Sequence, residues 1–111
     1  MSDPPTTSVS LKVEFSGGLE LLFAKQRKHE LSLPATVPAS PGTRPADISY
    51  LIHHLRDTLL TERAELFMEK DTVRPGILVL VNDTDWELEG EGEYVLKNGD
   101  EIVFISTLHG G

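Results

Sequence analysis

The stretch VSLKVEF, residues 9–15, sets Val9, Leu11, Val13 and Phe15 against Ser10, Lys12 and Glu14 in strict alternation. Successive side chains of an extended chain point to opposite sides, so this period of two predicts a strand with one buried face. Such a face needs a covering layer. Asp47 precedes Ile48, Leu51, Ile52, Leu55 and Leu59, spaced by three and four residues, which predicts an Asp-capped helix over 47–60 with one apolar stripe. Fully burying a side chain of this size stabilises by roughly 1.5–3 kcal/mol, so the stripe is the largest single contribution expected to the core.

Working outward from the first strand, Ser16, Gly17 and Gly18 end it, and the apolar block 19–23 reads as a single helical turn before the basic cluster Lys25, Arg27 and Lys28. A second strand is expected at 29–33, antiparallel to the first across a wide connection. Residues 34–46 carry four of the seven prolines among Ala, Thr, Ser and Gly, which predicts a loop insertion with no element of its own. Beyond the helix, a polar stretch over 61–70 encloses Leu66, Phe67 and Met68, and Arg74, Pro75 and Gly76 mark a turn. Five consecutive apolar residues at 77–81 predict a strand covered on both faces or lying centrally in a sheet. Residues 82–85 turn the chain again, Trp86 and Leu88 flank Glu87 in a short alternating piece, and 94–96 reads as a further short strand or turn. Asn98, Gly99 and Asp100 form a tight-turn signal leading into a last strand over 102–106.

Strands followed by one long helix and then more strands make an α+β domain, expected over 9–106, with a flexible leader at 1–8 and an extended tail at 107–111. If the last strand lies beside the first, the result is a mixed sheet of four to five strands with the helix across one face, which is the β-grasp, or ubiquitin-like, arrangement.

Composition narrows the function. The chain has 111 residues, enough for one domain with its own core. Eighteen acidic against ten basic residues give a net charge of −8, which repels phosphate backbones and argues against direct contact with nucleic acid or an anionic membrane. There is no cysteine, so the chain by itself offers no disulfide, thiolate nucleophile or Cys-ligated metal. The N-terminus lacks a basic-then-apolar signal pattern, and no apolar run approaches the ~18 residues of a membrane span. The expected location is the cytoplasm, with the nucleus as the alternative.

Among candidate sites, His53 and His54 are adjacent on the helix, about 100° apart, and cannot share a ligand; no metal is expected. Gly90 and Gly92 stand among Glu89, Glu91 and Glu93, whose charge would repel a phosphate. The acidic run over 83–101 holds eight carboxylates and one base, Lys97, and reads as a solvated face or as an electrostatic docking surface for a basic partner. His109 would make a poor general base on a tail without fixed geometry, so a recognition contact is expected of it. Gly110 and Gly111 are different in kind. Two residues without Cβ atoms form the narrowest peptide available, able to enter a tight channel and present an end group. A free carboxylate there can be adenylated by ATP and become an acyl donor to a thiolate, a persulfide or an amine. The bland alternative is a frayed end.

The segments VEFSGGLELLFAKQRKHEL at 13–31 and RPGILVLVNDTDWELEGEGEYVLKNGDEIVFISTLHGG at 74–111, above all NDTDWELEG and STLHGG, closely resemble the eukaryotic ubiquitin-related modifier family, whose members double as sulfur carriers. More distantly, the chain is similar to the bacterial sulfur carriers of molybdopterin and thiamine synthesis, which share the β-grasp and the Gly-Gly end. The resemblance implies that Gly111 is the site of thiocarboxylation and conjugation, with Thr107, Leu108, His109 and Gly110 as partner contacts. It implies an activating enzyme with an adenylation domain and a rhodanese-like domain, which uses ATP while the carrier itself binds no cofactor. A tRNA thiolase complex would take the sulfur for 2-thiolation of wobble uridine in cytosolic tRNA, and lysines of target proteins would be the acceptors in a second, oxidative role. The carrier is expected to be a monomer and not an enzyme. The alternative is a ubiquitin-like binding module that docks without covalent chemistry. For either, Leu108 and the face near 86–88 are the expected footprint beyond the tail.

Overall fold

A computed structural model describes residues 8–107. The alternation at the start is realised in β1, Ser8–Ser16, where Val9, Leu11, Val13 and Phe15 are buried and Ser10 and Lys12 between them are exposed. A 3-10 turn at Leu19–Phe23 follows, and the chain returns as β2, Lys28–Pro34, antiparallel to β1 with Leu11 opposite Leu31. The connection is itself part of the core. Leu19, Leu22 and Phe23 are buried, and the Phe15 and Phe23 rings stack with centroids 3.8 Å apart.

The proline-rich stretch departs from expectation: it is a short hairpin of β3, Thr36–Pro38, and β4, Thr43–Pro45. In a two-stranded ribbon every strand is an edge, so prolines lacking an N–H are tolerated where a central strand would refuse them. Val37 and Ala46 are buried and anchor the hairpin to the body.

Helix α1, Ile48–Thr58, starts where Asp47 accepts a hydrogen bond from the Tyr50 amide at 2.9 Å. Ile48, Leu51, Ile52 and Leu55 are fully buried along its stripe. It stops short of residue 60. The Leu59 and Leu60 amides both converge on the Leu55 carbonyl, at 3.0 and 2.9 Å, leaving Leu59 as a half-buried cap that packs against the core.

The polar stretch after the helix hides a second small hairpin. β5, Met68–Glu69, and β6, Thr72–Val73, are joined by Lys70 and Asp71, both at positive φ, as a two-residue hairpin turn requires. β7, Ile77–Val81, turns through Asn82 and Asp83 in the same way into β8, Thr84–Asp85. Val79 and Val81 face the core while Leu78 and Leu80 are half-buried on the other side, so β7 lies inside the sheet without being covered on both faces. Residues expected to alternate as a strand form instead a 3-10 turn, Trp86–Leu88, and a second one spans Glu91–Glu93. Residues 94–96 contribute one isolated bridge, Val95 to Asp47, at the start of α1.

The last strand, β9, Glu101–Ser106, inserts between β1 and β7. The sheet order is β2-β1-β9-β7-β8, with β1 and β9 parallel and the other pairs antiparallel. One mixed five-stranded sheet with one long helix on one face is the β-grasp. The core gathers α1 with Leu11, Val13, Phe15, Val79, Ile102 and Phe104.

Candidate functional site

The tail leaves the sheet from the end of β9. Ile102 and Phe104 point into the core, and Val103 and Ile105 point to the opposite face. Beyond Ser106, which lies opposite Ile77, the Thr107 amide donates to the Gly76 carbonyl at 2.8 Å, and the Thr107 hydroxyl donates to the same oxygen. On the β1 side, Gly17 approaches Ser106 so closely that a Cβ on it would stand 2.3 Å from the Ser106 carbonyl oxygen. Of the five residues proposed from sequence, Thr107 is described and is exposed; Leu108, His109, Gly110 and Gly111 lie outside the described residues, as does most of the expected leader.

Next to this root, the face of the sheet away from α1 carries an apolar strip. Leu78 pairs with Ile105 and Leu80 with Val103 across the β7–β9 ladder, so the four side chains share one face. Its borders are polar: Glu14 lies opposite Val103, Ser16 opposite Ile105, and Asp85 opposite Leu80. Sequence reasoning missed the strip because five consecutive apolar residues do not reveal which of them face outward. The footprint expected near 86–88 is divided. Leu88 is 78% exposed, while Trp86 packs against the core.

The acidic run is not uniform. Asp83, Glu87, Glu89, Glu91, Glu93 and Glu101 are exposed, but Asp100 is 5% exposed and belongs to the frame. Its carboxylate accepts from the Tyr94 hydroxyl at 2.9 Å, the Asn82 side-chain amide at 3.0 Å and the Lys97 amide at 2.8 Å. Burial, together with the hydrogen bond to the Asp100 carboxylate and the charges of Asp100 and Glu89, pushes the Tyr94 phenol up to about 12. Asn82 also accepts from the Glu101 amide at 2.9 Å, so the network ties the β7–β8 turn to the start of β9.

His53 bonds the Ser49 carbonyl through Nδ1 at 2.8 Å, with Nε2 3.4 Å from Asp71, and the His54 ring stacks on Tyr50. Among the described residues no group of three or more His, Asp or Glu is placed to hold a metal ion, and no helix is long and apolar enough to cross a membrane.

Comparison with known proteins agrees with this geometry. The family model Urm1 (Ubiquitin related modifier) matches residues 10–111. The chain is 66% identical to ubiquitin-related modifier 1 of Laccaria bicolor, with 96% of this chain and 97% of that protein aligned. It is 64% identical to ubiquitin-related modifier 1 of Coprinopsis cinerea over the full length of both. Among solved structures, that of Urm1 from Trypanosoma brucei superposes with a TM-score of 0.71 at 42% identity, covering 96% of this chain and 99% of the other.

Proposed function

The chain belongs to the ubiquitin-related modifier family, and from that premise we propose that it is a protein-borne sulfur carrier and protein modifier whose reactive group is the carboxylate of Gly111. One observation carries the proposal. The family match runs through Gly111, and β9, at the centre of the sheet, ends at Ser106, a few residues before it.

A Gly111 carboxylate oxygen attacks the α-phosphorus of ATP on an activating enzyme, releasing pyrophosphate. The terminal sulfur of a persulfide on a rhodanese-like domain then attacks the carbonyl carbon and expels AMP. A thiol cleaves the remaining S–S bond, leaving the thiocarboxylate on the carrier and a disulfide on the partner. The sulfur so carried serves 2-thiolation of wobble uridine in cytosolic tRNA, held by a thiolase complex, since a chain of net charge −8 is a poor ligand for RNA itself. Attack by a target lysine amine on the carbonyl carbon of the acyl adenylate, expelling AMP, gives an amide, the modifier role. ATP is consumed by the partner, and the carrier, a cytosolic monomer, supplies the acyl group without being a catalyst.

Intact-mass measurement after incubation with ATP, the activating enzyme and a sulfur source tests this. Replacement of one oxygen by sulfur, localised to Gly111, is the expected result; an unchanged mass rejects the carrier role and leaves a non-covalent binding module.

A further inference from the structure

We propose that Gly17, Gly76 and Thr107 form a two-sided clamp that fixes the direction in which the C-terminal tail leaves the sheet, and so act as positioning residues for the chemistry at Gly111; this rests on the function proposed above. On the β1 side, a Cβ at residue 17 would meet Ser106 backbone three times, its oxygen at 2.3 Å, nitrogen at 3.0 Å and carbonyl carbon at 3.2 Å. None of these is the yielding end of a side chain, so any other residue at 17 must displace the Ser106 peptide. On the β7 side, the Gly76 carbonyl receives both the amide and the hydroxyl of Thr107. The amide bond prolongs the β7–β9 ladder. The hydroxyl bond is additional, holding the first residue past the strand by its side chain as well as its backbone.

The turn after β1 does not by itself explain Gly17. Gly17 and Gly18 both have positive φ, 71° and 103°, a region that favours glycine. Yet a Cβ on Gly18 would meet nothing within 4 Å, whereas one on Gly17 would strike the tail root. The two glycines therefore separate backbone strain from contact with Ser106.

The clamp matters because the tether is short. Four residues beyond Thr107 reach at most about 14 Å when extended. With so short a tether, displacing the root takes away a sizeable part of the reach available to Gly111. Misplacement of a reacting group by even about 1 Å can cost ~100-fold in rate.

The test compares Gly17→Ala, Gly18→Ala, Thr107→Val and Thr107→Ser in the full chain, reading amide hydrogen exchange at Thr107 and the kinetics of thiocarboxylate formation by the activating enzyme. Gly17→Ala and Thr107→Val should speed exchange at Thr107 by about tenfold or more. They should lower kcat by about 10- to 100-fold while KM changes little, the signature of an end group delivered badly by a body still bound well. Gly18→Ala, with its backbone strain alone, should stay near the wild type in both measurements, and Thr107→Ser, which keeps the hydroxyl, should keep wild-type exchange and recover most of the kcat that Thr107→Val loses. Gly17→Ala behaving like Gly18→Ala, or Thr107→Val like Thr107→Ser, overturns the clamp. A wild-type chain that never gains sulfur refutes the proposed function and with it the positioning role, an outcome distinct from unchanged exchange, which refutes the clamp alone.

Discussion

Asp100 shows how a single buried charge organises the approach to β9. A buried carboxylate is tolerated when its oxygens are fully hydrogen-bonded, and here three donors from three places in the chain converge on it. Among the described residues no buried side-chain polar atom is left without a partner. Asp100→Ala would strand the Tyr94 hydroxyl, the Asn82 amide and the Lys97 N–H at once. Hydrogen bonds to a charged group contribute about 1.5–3 kcal/mol, so this variant should lose at least about 2 kcal/mol in urea unfolding. Tyr94 adds a pH dependence. Its phenol titrates at about 12 in the folded protein against an ordinary value of 10.0, so the folded state holds that proton more tightly. The resulting stability is complete below pH ~10 and is lost as pH rises from ~10 through ~12. Unfolding midpoints measured across this window should fall more steeply for the wild type than for Tyr94→Phe. Parallel curves would show that the folded state does not hold the Tyr94 proton above its ordinary value.

At the scale of elements, α1 is specified by a cap and a stripe, and each can be tested separately. Asp47→Ala removes the acceptor for the Tyr50 amide and the partner of Arg44 at 2.9 Å, and should cost about 1 kcal/mol in chemical denaturation. Leu51→Ala, at a fully buried position, should cost about 2–5 kcal/mol. Both devices were legible in the sequence because they are local, as was the alternation of β1. The two small hairpins were not. Lys70 and Asp71 take positive φ without being glycine, and strands of two or three residues are too short to show any period. The root of the candidate site was not legible in the sequence, and its Gly-Gly end lies outside the described residues. The Gly-Gly motif is a local signal, but the approach of Gly17 to Ser106 joins residues far apart in the chain, and Gly17 read only as a turn residue. The apolar strip was hidden for a related reason: which of residues 77–81 face outward is decided by pairing with β9. On the function proposed above, that strip, contiguous with the tail root, would seat the activating enzyme. Leu80→Asp should therefore raise KM for activation by about tenfold, as loss of a central interface contact does, with little change in melting temperature because Leu80 faces away from the core. An unchanged KM would move the footprint elsewhere, to the exposed Leu88 first.

At the scale of the whole molecule, the central position of β9 divides the labour between body and end. The strand that delivers the tail is flanked by β1 and β7, so the root inherits the stability of the entire sheet, and opening it requires breaking two ladders. The reactive end proposed for such a body would need no pocket, metal or thiol of its own. It would need a free carboxylate and access, and both would be sensitive to any residue added after Gly111 while the fold would not. Appending one alanine after Gly111 moves the carboxylate by one residue, about 3.5 Å, and places a Cβ beside the carbonyl to be attacked. Such a chain should keep its melting temperature and its affinity for the activating enzyme, yet form thiocarboxylate at no more than about a hundredth of the normal rate, since misplacement of a reacting group by even ~1 Å can cost that much. A non-covalent binding module would behave otherwise, because its partner would hold the sheet and be indifferent to the end. Calorimetry for binding and intact-mass kinetics for the reaction, run on the extended and unextended chains, separate the two: binding retained by both with sulfur gained only by the unextended chain supports the carrier at Gly111, and binding by both with sulfur gained by neither rejects it.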